Sequence, residues 1–227
     1  MRVLVVTAVA AEADSVAAGL TAPVLGTRRL PGGYALSRYG TVDVLAAGVG
    51  PAAAAAGTAT ALALGTYDLV VSAGIGGGFQ PHAPIGALVV ADAIVAADLG
   101  AETPDGYLPV DELGFGRSIH RPPAALSKRM ARTLDAVYAP VLTVSTVTGT
   151  AARAAELRNR HPHAAAEAME GFGVAEAAAA HVVPVLEIRA VSNAVGPRDR
   201  AGWRIGQALD SLGYAFQLLN PLLEESP

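Results

Sequence analysis

The chain contains no cysteine, which removes disulfides, a thiolate nucleophile and cysteine-ligated metal from consideration. Charge is scarce too. Only 16% of residues are Asp, Glu, Lys or Arg, against about 25% in typical globular domains. The net charge is −4 and no basic run stands out, which argues against nucleic acid or an anionic membrane as partner. The five histidines are scattered. His161 and His163 flank Pro162 as a solvated turn would, and no residues have the spacing of a zinc site. No Ser/Pro-rich linker, charge run or internal repeat divides the chain, so residues 1–227 read as a single domain.

What is present is apolar. Hydrophobic residues make up 52%, enough for a large core and for extra apolar surface buried in an oligomer. Two stretches imitate membrane signals. Arg2, the run Val3 to Val9 and the triplet Ala8-Val9-Ala10 resemble a short signal peptide, but such a run equally suits a buried first strand. Val44 to Tyr67 lacks charge and is long enough to span a bilayer. Gly48, Gly50 and Pro51 interrupt it, however, so a strand, a tight turn and a small-residue helix explain it better. The expectation is a soluble, cytoplasmic protein without membrane contact.

Apolar runs alternate with helical patterns, the signature of an α/β fold with a mostly parallel sheet and crossover helices. Strands are expected at 2–7, 34–39, 41–47, 68–73, 88–97, 141–147 and 185–191, with a short one at 165–169. Helices are expected at 10–20, 52–64, 124–138, 150–160, 171–181 and 200–219. Residues 34–47 read as a hairpin turning at Gly40. The segment 100–123 is rich in Gly and Pro with little periodicity, and loops of that length in compact domains are usually functional or disordered.

Three motifs compete for the chemistry. Gly48-Val49-Gly50-Pro51-Ala52-Ala53 follows a strand, and Asp68 lies about 20 residues on, as in dinucleotide folds. The match fails on position: Asp68 starts its strand, whereas the acid of the fingerprint should end one. A nicotinamide or flavin enzyme therefore stays a rival. Ser72-Ala73-Gly74-Ile75-Gly76-Gly77-Gly78 packs four glycines into five positions. A tight turn needs only one, so Gly74, Ile75 and Gly76 read as a ligand-facing loop whose amides approach a bound group closely. No Gly-Lys-Ser/Thr follows, which excludes a P-loop. The third motif pairs Met169-Glu170-Gly171-Phe172-Gly173 with Arg189-Ala190-Val191-Ser192-Asn193. It puts a carboxylate at a helix start and an amide at a strand end, two positions that share one crevice in a parallel α/β sheet. A carboxylate grips vicinal hydroxyls and an amide reads a purine edge, so a nucleoside is expected. Glu170 in an apolar junction is costly to bury without a partner. Arg189 in an apolar strand needs an anion, from Glu187 or a catalytic acid. Glu12 is the first acid after the first strand, at the same crevice edge, or else an ordinary first-turn acid favoured by the helix dipole.

Taken in order, Glu12, Gly48-Val49-Gly50 before an Ala-rich helix, the glycine segment 74–78, Ile85-Gly86-Ala87-Leu88-Val89-Val90, Met169-Glu170 and Arg189 to Asn193 resemble the nucleoside phosphorylase/nucleosidase superfamily. The resemblance covers nearly the whole chain. It comes close to the methylthioadenosine/S-adenosylhomocysteine nucleosidases, and closest to the futalosine hydrolases of an alternative menaquinone pathway through residues 169–173 and 192–199. It implies a three-layer phosphorylase/hydrolase-like fold, with a central mixed, mostly parallel sheet flanked by helices, and no metal or organic cofactor. It also implies roles. Glu12 activates the attacking water, Arg189 helps hold that acid or water, Met169 lies against the ribose and Glu170 accepts from its hydroxyls. Val147 and Thr148 fall where the base is sandwiched, and Phe172, beside Glu170, is a further candidate for substrate binding. Asp199 is a candidate general acid. A homo-oligomer is implied, with 100–123, including Tyr107 and Phe115, closing a neighbouring subunit's site.

The chain departs from adenine-specific nucleosidases at Ile75, where they have serine, and at Asn193, where they have aspartate. Adenine presents an N6 donor, which suits a carboxylate, whereas a 6-oxopurine presents O6, to which an Asn amide donates. Asn193 thus points to a hypoxanthine nucleoside. Asparagine also occurs here in 6-oxopurine phosphorylases, so it does not separate hydrolysis from phosphorolysis. Glu12 favours hydrolysis, and Arg28 and Arg29 are the nearest early arginines that could serve a phosphate. A purine-nucleoside binding domain without turnover is the non-enzymatic alternative.

Overall fold

The computed structural model describes residues 1–224. Its first strand, β1 (Val3–Thr7), is buried along its whole length, as expected of a central strand covered on both faces. Alternate side chains go to opposite sides. Leu4 and Val6 join the core under one helical layer, and Val3 and Val5 join the core under the other. The sheet grows outward from there through β4 (Val42–Ala46) and β5 (Leu69–Gly78), both parallel to β1. β3 (Ala35–Tyr39) and β2 (Val24–Arg29) add antiparallel at one edge. On the other side β5 pairs parallel with β12 (Val185–Ala194), which runs antiparallel to β6 (Leu88–Ala96). β6 continues into β10 (Val137–Thr143) and β11 (Ala166–Ala168). Because β11 also pairs antiparallel with the end of β5, the strands β5, β12, β6, β10 and β11 close into a ring. β7 (Gly100–Thr103) and β8 (Gly106–Pro109) form a separate hairpin, and β9 (Ile119–His120) pairs with β6.

Helices α1 (Ala10–Gly19), α3 (Ala124–Thr133) and α6 (Ile205–Glu224) pack on one face, with α2 (Pro51–Leu64) and α5 (Gly171–Ala180) on the other. α4 (Ala151–Arg160) buries Leu157 beside Leu142 and Val95. Both principal helix pairs rely on small residues. A Cβ on Gly173 of α5 would lie 2.0 Å from the Pro51 carbonyl oxygen of α2, and one on Gly19 would lie 2.1 Å from the Gly213 carbonyl of α6. Pro51 begins α2 where its missing N–H is not needed. No helix among the described residues is long and apolar enough to cross a membrane.

The α/β class holds. The sheet is mixed and mostly parallel, as expected: β1 with β4 and β5, β5 with β12, β6 with β10 and β10 with β11 pair parallel, and the antiparallel pairings are shorter or lie toward one edge. The corrections are in detail. The glycine segment continues β5 instead of leaving it as a loop, since glycines let neighbouring backbone approach: a Cβ on Gly76 would lie 2.7 Å from the Glu167 carbonyl oxygen. β10 starts at Val137 and stops at Thr143, so α3 is shorter than expected and Val147 and Thr148 lie on the following loop. β2, unanticipated, is an exposed edge strand with Arg28, Arg29 and a register shift between Val24 and Gly26, features that mask alternation and guard an edge.

Candidate active site

At the carboxyl ends of β1, β5, β11 and β12 lies a cavity of about 260 Å³, where ligands bind in open α/β sheets. Glu12, only 4% exposed, enters it from the first turn of α1. Its Oε2 accepts from the amides of Ala8 (2.9 Å) and Val9 (3.3 Å), and its Oε1 accepts from the Ile75 amide (2.9 Å). A carboxylate has about four acceptor positions, so these three bonds leave one, on Oε1. That oxygen faces Gly74: a Cβ there would come within 2.6 Å of Oε1 and 2.7 Å of Arg189 Nη1. Gly74 therefore keeps open the narrow space between acid and arginine, and does not itself line the cavity.

Arg189, fully buried on β12, is committed to protein partners. Nε donates to Glu187 Oε1 (2.9 Å), Nη1 to Glu170 Oε2 (3.3 Å) and Nη2 to Ser72 Oγ (3.0 Å). Burial opposes its charge, but Glu187, Glu170 and Glu12 outweigh that and hold its pKa above the usual value. Glu187 answers the search for its anion. Burial pushes the Glu187 carboxyl up, partly countered by Arg189. Three carboxylates around one guanidinium are more negative charge than it offsets, and Glu187 Oε2 has no hydrogen-bond partner.

Glu170, at the start of α5 and 6% exposed, lines the cavity with Met169. Its Oε1 accepts from the Gly50 amide (3.2 Å) at the start of α2, so that helix start and Arg189 fix it while lone pairs remain for a ligand. Asn193, half-buried, sits at the end of β12 after a register shift. Ser192 Oγ lies 2.8 Å from Asn193 Oδ1 and also within reach of the Gly76 carbonyl, and Asn193 Nδ2 donates to the Ala194 carbonyl (3.0 Å). The serine thus holds the amide oxygen, and the Ala194 carbonyl takes one of its two N–H groups. Ile75, Gly76, Val147 and Thr148 line the same cavity.

Two expected residues lie elsewhere. Asp199 is exposed and outside the cavity. Its Oδ1 accepts from the Ala201 amide (3.2 Å), capping a short 3-10 turn, a local use typical of Asp. Phe172 turns inward from α5, buried in the core against His120 with ring centroids 5.1 Å apart, because the second residue of that helix faces the sheet. Arg28 lines a groove by Asp43 and not this cavity, and Arg29 donates to the Gly33 carbonyl. No residue of 100–123 lines the cavity of its own chain. Tyr107 is stacked under Arg160, 4.1 Å from ring centre to guanidinium carbon.

Sequence reasoning missed Glu167, which lines the cavity from β11 at 5% exposure. It accepts from the Thr148 amide (2.8 Å) and from Thr148 Oγ1. Burial raises its pKa, opposed by the bonds from Thr148. The reasoning that singled out Glu170, an acid in an apolar segment, applied equally to Glu167. Arg198 and Trp203, stacked 5.0 Å apart at the cavity wall, carried no such signal.

Comparison with known proteins places this geometry among relatives. The model of the phosphorylase superfamily matches residues 2–212. A futalosine hydrolase of Streptomyces coelicolor is 64% identical over 99% of this chain and 97% of its own length. One of Acidothermus cellulolyticus is 50% identical over 95% of this chain and 89% of its own. Among solved structures, the methylthioadenosine/S-adenosylhomocysteine nucleosidase of Colwellia psychrerythraea in complex with adenine superposes with a TM-score of 0.82. It is 23% identical and covers 98% of this chain and 94% of that one, a likeness of fold.

Proposed function

The chain belongs to the phosphorylase superfamily, and on that premise we propose that it hydrolyses the N-glycosidic bond of futalosine, yielding hypoxanthine and dehypoxanthine futalosine. The observation that carries the reaction type is Glu12, a buried carboxylate held by three amides with one acceptor position left, in the same cavity as Glu170 and Asn193. The substrate rests on the 64% identity to a futalosine hydrolase across nearly the whole chain.

The bond from C1′ to N9 lengthens toward an oxocarbenium-like ribosyl cation, with Glu170 accepting from the ribose hydroxyls and Met169 packed against the sugar. Water on Glu12 Oε1 attacks C1′ and gives its proton to that carboxylate. The bond pair leaves with the purine, whose O6 or N7 accepts from Asn193 Nδ2, and the purine takes its proton from solvent. Val147 and Thr148 border the base. Arg189 acts as a positioning residue that fixes Glu170. Phosphorolysis would need cations for phosphate. Arg198 is the only basic residue lining the cavity among the described residues.

The reading extends to one domain over residues 1–227, working in the cytoplasm within menaquinone biosynthesis, as a homo-oligomer whose segment 100–123 covers a neighbour's site. The exposed side chains Val9, Val49, Val147 and Ile205 at the cavity and Phe115 on that segment supply apolar surface for such contact.

The test is release of free base from futalosine, inosine and methylthioadenosine, each with and without phosphate. Hypoxanthine from futalosine, indifferent to phosphate, is expected. Phosphate-dependent release would make the protein a phosphorylase, adenine from methylthioadenosine would overturn the base assignment, and binding without turnover would leave a sensing domain.

A further inference from the structure

In the sheet, Gly77 of β5 is paired on both sides: with Asn193 on β12 and with Glu167 on β11. Residues paired across strands project to the same face, and two strand spacings place the outer two about 10 Å apart. The middle residue has no side chain, and a Cβ there would lie 2.9 Å from Val195 Cγ2 and 3.3 Å from Asn193 Nδ2. A carboxylate and an amide therefore flank Gly77, and all three line the cavity together with Val195.

Each side chain is held in one orientation by a neighbour. Thr148 donates twice to Glu167, from its amide and its hydroxyl, and Ser192 fixes the oxygen of Asn193. One N–H of Asn193 donates to the Ala194 carbonyl, and the second is left for a ligand. Glu167, using one acceptor position on each oxygen, keeps others free. Burial at 5% exposure makes an unused acceptor there costly to leave without a ligand. The six-membered edge of hypoxanthine has an N1–H donor next to the O6 acceptor. That of adenine is reversed, with an N1 acceptor next to an N6 donor.

We propose that Glu167 is a base-specificity residue, accepting the N1–H of a 6-oxopurine while Asn193 donates to its O6 or N7. The inference deepens the proposed hydrolysis and rests on that reading. Asn193 alone selects weakly, because the single Ser192 hydroxyl proton that sets its amide is shared with the Gly76 carbonyl, and an amide turned over presents its oxygen instead. The two bonds from Thr148 favour the ionised form, in which the carboxylate only accepts and supplies the half of the code that turns adenine away. Glu167 touches the base and not the reacting atoms, and its removal changes which base is taken more than how fast the bond breaks.

The experiment compares kcat/KM for futalosine with that for its 6-amino analogue in the wild type and in Glu167→Gln. An amide in that place donates to the N1 of the amino base. The preference for the 6-oxo substrate is expected to fall by about tenfold or more, since a lost polar partner governs discrimination of this kind. Glu167→Asp, retaining the charge, is expected to keep more of the preference. An unchanged ratio in Glu167→Gln, with both substrates slowed equally, overturns the assignment and leaves Glu167 as a support for Thr148. Should the variant not fold, hypoxanthine labelled with 15N at N1 and bound to the wild-type protein gives the answer by NMR. A downfield N1–H resonance protected from exchange is expected, and an N1–H that exchanges as in free hypoxanthine overturns the proposal. Failure of the hydrolysis reading shows separately, as a wild type that releases no hypoxanthine from futalosine.

Discussion

Glu12 spends three of its acceptor positions on backbone amides, so its chemistry hangs on the fourth. In Glu12→Gln an NH2 group would meet amide donors, and no base would remain. Steady-state turnover of futalosine should fall by about 10²–10⁴-fold, the usual contribution of positioned proton transfer, and a loss within about threefold would refute the assigned role. Gly74→Ala tests the space beside it. A methyl group 2.6 Å from Glu12 Oε1 and 2.7 Å from Arg189 Nη1 displaces both, so kcat should drop with the acid unaltered in kind. Glu187 provides the pH test. Its folded-state pKa is raised above 4.5 by burial, against the pull of Arg189 and with Glu170 adding repulsion. Between pH 4.5 and that higher value the folded state binds more protons than the unfolded one. Stability therefore falls as pH rises through that window. Melting temperatures measured against pH should show this decline in the wild type and lose it in Glu187→Gln.

At the level of elements, the start of α5 is where packing and site meet. Gly171 rests on the Glu187 carboxylate and Gly173 on the Pro51 carbonyl, with would-be Cβ distances of 2.2 and 2.0 Å. Alanine at either place overpacks the junction at a cost of about 1–3 kcal/mol, and it should also raise KM, because Glu170 and Gly50 are placed by the same contact. Denaturant midpoints and kinetics on one preparation would read both effects. The 3-10 turn after β12 behaves differently. Asp199 only caps it, so Asp199→Ala should cost about 0.5–2 kcal/mol as a lost cap and leave kcat within about threefold. A large kcat loss with normal stability would restore it as an acid.

For the molecule as a whole, a low charge content and exposed apolar residues about the cavity and on 100–123 fit the proposed homo-oligomer. Sedimentation of the wild type should show a species heavier than 22.8 kDa, and Phe115→Asp should shift it toward the monomer. The limits of the sequence follow from the range of the forces involved. Local pattern determined the α/β class, the core strands β1, β4, β6 and β12, and the helices α1, α2, α4 and α5, because burial of alternating or periodic apolar residues is written within a dozen positions. That Glu12, Glu170 and Asn193 share one cavity was legible for a related reason: a polar group at the end of an apolar run has to be explained. The edge strand β2, the continuation of β5 through its glycines and the placing of Asp199 and Phe172 were not. Which way a side chain turns there depends on neighbours remote in sequence. Glu167 is the sharpest case, since its apolar surroundings marked it as an acid to be explained but not its place in the site. Only the return of β11 onto β5 sets it across Gly77 from Asn193, and no spacing along the chain encodes a pairing that the closure of the sheet creates.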